Sequence, residues 1–148
     1  CYFNQGVVKT DGYDLNLRTN FEFGDWGTLR NQLAVSYVAS YSTDDGEDTV
    51  GIAGFPEFRA TLLNTWEISD FAFNYNIRHI DENGRYSSQT LHDIQGSWNT
   101  PWNGTLAVGV NNIENELPEL IPFGGRNFNF ALYDAYGRTP YLRYTQKF

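Results

Sequence analysis

The chain has 148 residues, with 18 acidic against 10 basic side chains, a formal net charge of -8 and a pI of about 4.5. A nucleic-acid partner, which requires clustered Lys and Arg, is therefore disfavoured. The single cysteine excludes an internal disulfide framework, and no apolar run approaches the ~18 residues of a transmembrane helix. The length suits one domain, and the aromatic content of 17% indicates an ordered chain.

The start of the sequence indicates a piece of a longer protein. Its first residue is Cys1, it contains no methionine, and it shows no signal peptide. A lipidated N-terminal cysteine is the alternative, but Tyr2 and Phe3 give it no support.

The dominant pattern along the chain is an alternation of period two. Between residues 13 and 23 apolar side chains occupy all the odd positions except Thr19, and polar side chains occupy every even position, which predicts an amphipathic strand. A glycine-bounded turn at 24–27 and a second alternating run at 29–41 complete a hairpin. Five further strands are predicted at 57–68, 71–78, 91–99, 105–111 and 139–148.

The connections between these seven strands alternate in length. Turns of about two to four residues follow the first, third and fifth strands, whereas connections of about ten residues or more follow the second, fourth and sixth. Strands of about ten residues can cross a bilayer at a ~45° tilt. Tryptophans also gather at the short turns, as in the aromatic girdles of membrane barrels; they are Trp26, Trp66, Trp98 and Trp102.

The alternative is a soluble β-sandwich or a lipocalin-like barrel, whose strands also alternate. The solvent face of such a protein usually carries many Lys and Glu. Here the polar positions are mostly Asn, Ser, Gln, Thr and Arg, which favours the water-filled interior of a large membrane barrel. A soluble enzyme is a third possibility, but the sequence offers no catalytic constellation for it.

Several short motifs resemble the C-terminal part of TonB-dependent outer-membrane receptors. They are D-G-Y-D-L at 11–15, Phe55-Pro56, G-V-N-N-I-E at 109–114, and Y-D-A-Y-G-R at 133–138 followed by Y-L-R-Y at 141–144 and a terminal Phe148. The order and spacing of the motifs also match that family, over nearly the whole chain.

The resemblance implies an all-β fold: an antiparallel meander of about seven transmembrane strands, numbers 16 to 22 of a 22-stranded outer-membrane barrel. Residues 1–148 are then a single incomplete domain, without the plug and the segment that contacts TonB. The implied function is uptake of a scarce ligand, of carbohydrate or siderophore class, across the bacterial outer membrane with energy supplied through TonB. The alternative is a small, self-contained eight-stranded barrel with an adhesion or structural role, against which the strand parity argues.

The resemblance also implies partners and an assembly signal. Leu142, Tyr144 and Phe148 share one face of the last strand and resemble the C-terminal signal that the barrel assembly machinery recognises. The other expected partners are outer-membrane lipid, TonB and a small-molecule ligand.

The connection 112–134 is the candidate ligand region. It holds Arg126 and Asn127, together with the aromatic and amide residues Phe123, Phe128, Asn129 and Phe130. Aromatic faces and amides suit sugars, whereas an anionic chelate requires a dense basic cluster and would be repelled by the acidic run at 44–48. We therefore expect a neutral or carbohydrate-like ligand, unless this connection only covers the barrel seam.

No catalytic, metal or cofactor site is expected. The acidic run at 44–48 lacks calcium-loop spacing, and His79 and His92 lie on different strands without a third ligand. The glycines at 124–125 lack phosphate-loop spacing, and Asn103-Gly104 is read as a hairpin turn rather than a glycosylation site.

Overall fold

Seven antiparallel strands form one continuous sheet, in which each strand pairs with its neighbours in the sequence. The computed structural model describes residues 6–44, 46–52 and 54–147. The predicted seven-stranded meander is confirmed. The strands are β1 (Val8–Glu22), β2 (Thr28–Thr43), β3 (Phe58–Ile68), β4 (Phe71–Ile80), β5 (Gln89–Asn99), β6 (Gly104–Asn111) and β7 (Thr139–Gln146), with a 3-10 turn at Gly24–Trp26.

The strand register places the apolar residues on one face of the sheet. Leu33 of β2 lies opposite Leu17 of β1 and Leu62 of β3, and Leu62 lies opposite Ile77 of β4. Because directly opposed residues point to the same side, these side chains form a continuous row. We call this side of the sheet the apolar face and the opposite side, which begins with Asn16 on β1, the polar face.

The three short turns lie at one end of the sheet and use left-handed backbone. Ser69 (φ 51°) lies between β3 and β4, and Asn103 (φ 60°) lies between β5 and β6. Aromatic rings gather at this short-turn end, where Trp98 stacks on Phe71 at 6.4 Å and meets Trp102 edge-on at 5.7 Å. The predicted turn at Asn103 and the predicted aromatic girdle are both present.

The first strand begins earlier than predicted, at Val8 instead of residue 13. Its first part pairs with the end of β2 across a β-bulge between Asp11 and Gly12, and the bulge interrupts the alternation that the sequence pattern relies on. A side chain at Gly12 would come within 2.5 Å of the Tyr37 carbonyl oxygen, so the close approach requires glycine. The last strand ends at Gln146, and Phe148 lies outside the described residues.

The strands bury almost no apolar side chain. Among the described residues the buried hydrophobic ones are Tyr86, Ala107, Phe128 and Tyr133, and only Ala107 belongs to a strand. On the apolar face, by contrast, Val108 is 59% exposed. The sheet therefore has no packed core beneath its apolar face.

The sheet is open in the part of the chain that the structure describes. The strands at its two edges, β1 and β7, do not pair with each other. This differs from a self-contained eight-stranded barrel, whose first and last strands close on each other. No helix within the described ranges has the length and apolar character needed to cross a membrane.

Candidate functional site

The long connections pack together at the other end of the sheet, and their described residues form what we call the connection cluster (44, 46–52, 54–57, 81–88 and 112–138). Its centre consists of the buried side chains of Tyr86, Phe128 and Tyr133. The Tyr86 and Tyr133 rings lie 5.4 Å apart. Partly buried hydrophobic residues complete the packing; they are Ile80, Ile121 and Leu132.

A fully buried amide, Asn83, joins the three connections. Its Oδ1 accepts a hydrogen bond from the Gly54 amide at 2.9 Å, and its Nδ2 donates to the Tyr133 hydroxyl at 2.7 Å. The next residue, Gly84, donates its backbone amide to the Gly51 carbonyl at 2.7 Å. The Asn83 side chain thus links all three connections. Burial in the same place raises the pKa of the Tyr133 hydroxyl above its usual value.

The acidic run at 44–48 uses its carboxylates to hold the backbone. Asp48 accepts hydrogen bonds from the amides of Tyr41 and Val50, both at 3.0 Å, and these bonds lower the pKa of its carboxyl. Asp44 accepts one from the Val7 amide at 2.9 Å. Asp45 lies outside the described residues.

The predicted ligand residues Arg126 and Asn127 lie at the exposed tip of the last connection. Phe123 and Arg126 exchange two backbone hydrogen bonds across Gly124 (φ 56°) and Gly125 (φ 79°), which makes a tight reverse turn. The Arg126 guanidinium lies 5.1 Å from the centre of the Phe130 ring. The structure therefore brings Arg126 and an exposed aromatic ring together.

Two of the neighbouring residues do not face solvent. Phe128 is 6% exposed in the centre of the cluster and stacks on Phe130 at 4.0 Å. Asn129 is 4% exposed, and its Oδ1 accepts a hydrogen bond from the Ala131 amide at 3.0 Å. The exposed set at the tip is thus Phe123, Arg126, Asn127 and Phe130.

The G-V-N-N motif fastens both ends of the last connection. Asn112 is 4% exposed and adopts a left-handed conformation (φ 52°). Its Oδ1 accepts a hydrogen bond from the Glu116 amide at 2.8 Å, and its Nδ2 donates to the carbonyls of Glu116 at 2.6 Å and Tyr136 at 3.2 Å. Its own backbone amide donates to Asp93 at 2.7 Å. Asn112 therefore ties the connection to β5.

The Y-G-R motif meets the same region from the other side. The Arg138 Nε donates to the Ile113 carbonyl at 2.8 Å, and the Arg138 backbone amide donates to Asn115 Oδ1 at 2.8 Å. A Cβ at Gly137 would lie 2.6 Å from that same oxygen, so a larger residue there would displace the Asn115 side chain from this hydrogen bond. Arg138 and Ile113 are 25 residues apart in sequence, and the hydrogen bond between them joins the two motifs. Together the motifs form the hydrogen-bonded base of the last connection.

Two arginines of the polar face line a cavity below the connection cluster. Arg78 lies 3.3 Å from Asp93 and 3.5 Å from Asp134, which tethers the last connection to the strands. Arg59 and Arg78 border a cavity of about 190 Å³ that Leu132 and Asp134 of the last connection also line. Neither arginine was predicted as a ligand residue, because both lie on strands rather than in the long connections. Their position at the long-connection ends of β3 and β4 could have indicated from the sequence that both arginines lie close to the connections.

The terminal strand places the predicted assembly residues on the apolar face. Leu142 is 72% and Tyr144 52% exposed. The Tyr144 hydroxyl accepts a hydrogen bond from Trp102 Nε1 at 2.9 Å and also bonds to Gln146 Oε1, and Gln146 Nε2 donates to the Trp102 carbonyl at 2.9 Å. The third predicted residue, Phe148, lies outside the described residues.

The two histidines lie on the apolar face and are held separately. His79 Nδ1 is 2.8 Å from Thr90 Oγ1, and His92 Nδ1 is 2.8 Å from the Tyr75 hydroxyl. No group of three or more potential metal-ligating side chains occurs among the residues that the structure describes.

Comparison with known families identifies one match. The family model described as "TonB dependent receptor-like, beta-barrel" matches residues 1–113, a segment that contains β1 to β6. No curated protein and no solved structure matches the chain.

Proposed function

Because the chain belongs to the family of TonB-dependent receptor β-barrels, we propose that it forms part of the wall of a receptor for uptake of a scarce ligand, energised through TonB. Proteins of this family are transporters of the bacterial outer membrane rather than enzymes. The energy coupling would run through a plug and a TonB-contacting segment that lie outside this sequence.

The observation that carries the proposal is the exposure of the apolar face. Leu17 and Phe73, on strands β1 and β4, are 51% and 50% exposed, and no other part of the described chain covers them. A contiguous apolar surface of this kind favours lipid over water. The polar face, with Asn16 on β1 and Asn74 on β4, suits a hydrated barrel interior.

The two open sheet edges support a larger barrel. Every backbone polar group within the hydrocarbon of a bilayer needs a hydrogen-bond partner. We therefore propose that further strands pair with β1 and β7 and that these seven are the last of 22. Deleting Phe148, or the whole of β7, from the intact protein should sharply reduce the heat-modifiable barrel, if Leu142, Tyr144 and Phe148 act as the assembly signal.

For the ligand we propose a neutral or carbohydrate-like molecule that contacts the tip of the last connection. The Phe130 ring lies 5.1 Å from the Arg126 guanidinium, and the exposed residues Phe123 and Asn127 belong to the same turn as Arg126 or adjoin it. Aromatic faces and amides together bind sugar rings by stacking and hydrogen bonding. The connection cluster, with its buried Tyr86, Phe128 and Tyr133, holds this tip in place.

A second candidate is an anionic ferric chelate, which is favoured by the cavity beside Arg59 and Arg78. Its weakness is that Asp93 and Asp134 already offset the charge of Arg78. An anionic ligand there would have to displace a carboxylate or bind mainly through Arg59.

The test is calorimetric titration of the intact protein with oligosaccharides and with ferric chelates. Arg126→Ala and Asn127→Ala should each weaken oligosaccharide binding, whereas Arg85→Ala, on another connection, should leave it unchanged. Tight binding of a ferric chelate without any response to sugars would contradict the proposed ligand. Uptake that persists in cells lacking TonB would contradict the proposed energy coupling.

A further inference from the structure

A row of polar side chains crosses the apolar face of the sheet. Thr19 lies opposite Asn31, Asn31 opposite Asn64, and Asn64 opposite Tyr75, so four successive strands contribute one residue each. We call these four residues the polar row. The rows on either side are apolar; they are Leu17, Leu33, Leu62 and Ile77 toward the long connections, and Phe21, Leu29, Trp66 and Phe73 toward the short turns.

The polar row lies at the depth of the hydrocarbon, if the apolar face meets lipid as the proposed function requires. Each of its residues is three or four positions from the short-turn end of its strand. With a rise of ~3.3 Å per residue and a ~45° tilt, that is about 7 to 9 Å inside an apolar band roughly 25 Å tall. Polar groups at this depth need partners, because lipid chains offer none.

The hydrogen bonds within the sheet satisfy only part of the polar row. Asn31 Nδ2 donates to Thr19 Oγ1 at 3.0 Å, and Asn64 Nδ2 donates to the Tyr75 carbonyl at 2.9 Å. Within the described residues neither Asn31 Oδ1 nor Asn64 Oδ1 accepts a hydrogen bond, and each Nδ2 retains a second N–H. Two amides therefore present both a donor and an acceptor outward from a lipid-facing surface.

A groove and a ridge lie beside these amides. The groove has a volume of about 520 Å³, is lined mainly by apolar side chains, among them Phe73 and Val108, and has Asn64 on its border. Trp66, which is 41% exposed, lines one side of the groove and forms the ridge.

From these observations we propose that the polar row and the adjoining groove form an interface with a second copy of this barrel in the membrane. Two copies inserted in the same direction are related by a two-fold axis along the membrane normal, which places the same patch of each copy face to face. An amide is self-complementary, because its N–H can bond to the carbonyl oxygen of the same amide in the partner. A ridge next to a groove is self-complementary under the same axis.

The first test is disulfide cross-linking of the intact protein in its outer membrane, in a Cys1→Ser background. Asn64→Cys should give a cross-linked dimer, and Leu142→Cys should not, since Leu142 is on the apolar face of β7, four strands away. A spin label at position 64 should be shielded from lipid-soluble oxygen, whereas a label at 142 should be accessible.

The outcomes separate this proposal from the proposed function on which it depends. If neither position cross-links and both labels are accessible to oxygen, the interface is refuted and the membrane placement stands. If neither label is accessible and no cross-link forms, the membrane placement itself is contradicted, and the interface with it. A cross-link from position 64 to a different protein would also refute the second copy as the occupant.

The second test removes the amides without harming the barrel. Asn31→Leu combined with Asn64→Leu places apolar side chains in a lipid-facing row, so the variant should still assemble. Its dimer fraction, counted by single-molecule photobleaching of labelled protein in supported bilayers, should fall at least tenfold. Asn16→Leu, on the polar face, is the matched control and should leave the dimer fraction unchanged. Equal dimer fractions in all three proteins would overturn the role of the polar row.

Discussion

The seven-stranded sheet and the connection cluster differ in how far they bury their apolar side chains. On the sheet, Leu17, Phe73 and Val108 are each at least half exposed, and Ala107 is the one buried hydrophobic residue that a described strand contributes. In the cluster, Tyr86, Phe128 and Tyr133 are each less than 7% exposed. The cluster is folded like a small water-soluble core, whereas the sheet is built to be covered from outside.

The difference shows which solvent each region is adapted to. The cluster hides its rings and satisfies its one fully buried amide, Asn83, from three connections. In the sheet, strand pairing provides hydrogen-bond partners for the backbone. The apolar side chains face outward from the sheet, as a lipid environment requires. Substitutions of the same chemical kind should therefore have different effects in the two regions.

The largest expected effect is a charge on the apolar face. Leu33→Arg in the intact protein should destabilise it by about 2 to 4 kcal/mol near the bilayer midplane. Ser36→Arg, three residues along the same strand on the polar face, should cost far less. Urea unfolding in lipid vesicles measures both. Equal losses for the two variants would remove the distinction between the faces.

A smaller effect is expected from the buried amide of the cluster. Asn83→Ala leaves the Gly54 amide and the Tyr133 hydroxyl without their partner, at a cost of about 1 to 3 kcal/mol. The loss should be confined to the connections, with faster amide hydrogen exchange at Gly54 and Gly84 and unchanged exchange in β2. Asn127→Ala, at the exposed tip, is the control. Accelerated exchange throughout the strands would show that the two regions are not independent.

The base of the last connection should respond in a similar but more local way. Asn112→Ala removes three hydrogen bonds, two to the backbone of Glu116 and one to the backbone carbonyl of Tyr136. At a net ~1 kcal/mol per bond, we expect the connection 112–138 to become sensitive to limited proteolysis. The exposed Asn111→Ala should not have this effect. Full resistance of the Asn112 variant would mean that the cluster centre alone holds the connection.

The smallest effect is expected from the tether between the two regions. Asp134→Asn weakens the contact with Arg78. The Arg78 side chain is 43% exposed and the Asp134 side chain is 63% exposed. Pairs this exposed contribute ~0 to 1 kcal/mol, and less at high salt. The unfolding midpoint should hardly change, and any change should vanish with added salt. A large, salt-independent loss would show that the tether organises the site.

The strands could be predicted from sequence because their signal is local. Alternation, turn residues and the tryptophans at the short turns depend on neighbours in the chain, so the face of Leu33 and the turn at Asn103 were read correctly. The prediction was wrong by five residues at the start of β1, because the bulge at Gly12 shifts the register. Such a shift depends on the partner strand and leaves no periodic trace in the sequence.

The connection cluster could not be predicted in the same way. Asn83 forms hydrogen bonds with Gly54 and Tyr133, which are 29 and 50 positions away in the sequence. No local sequence pattern indicates such distant pairings. For the same reason, Phe128 and Asn129 were grouped with the ligand-facing residues, although tertiary packing buries them. Arg126 and Asn127 are exposed as the ligand hypothesis requires, and their role in binding stays a prediction.

In the intact barrel we expect the apolar face of this sheet to meet lipid and the polar face to meet water. The most direct measurement is a scan of spin labels along residues 32–36 of β2 in the intact protein, reconstituted in a bilayer. Accessibility to lipid-soluble oxygen should peak at positions 33 and 35, and accessibility to a water-soluble paramagnetic complex should peak at 32, 34 and 36. Labels at 33 and 35 that are shielded from both reagents, as in the core of a soluble sandwich, would contradict it.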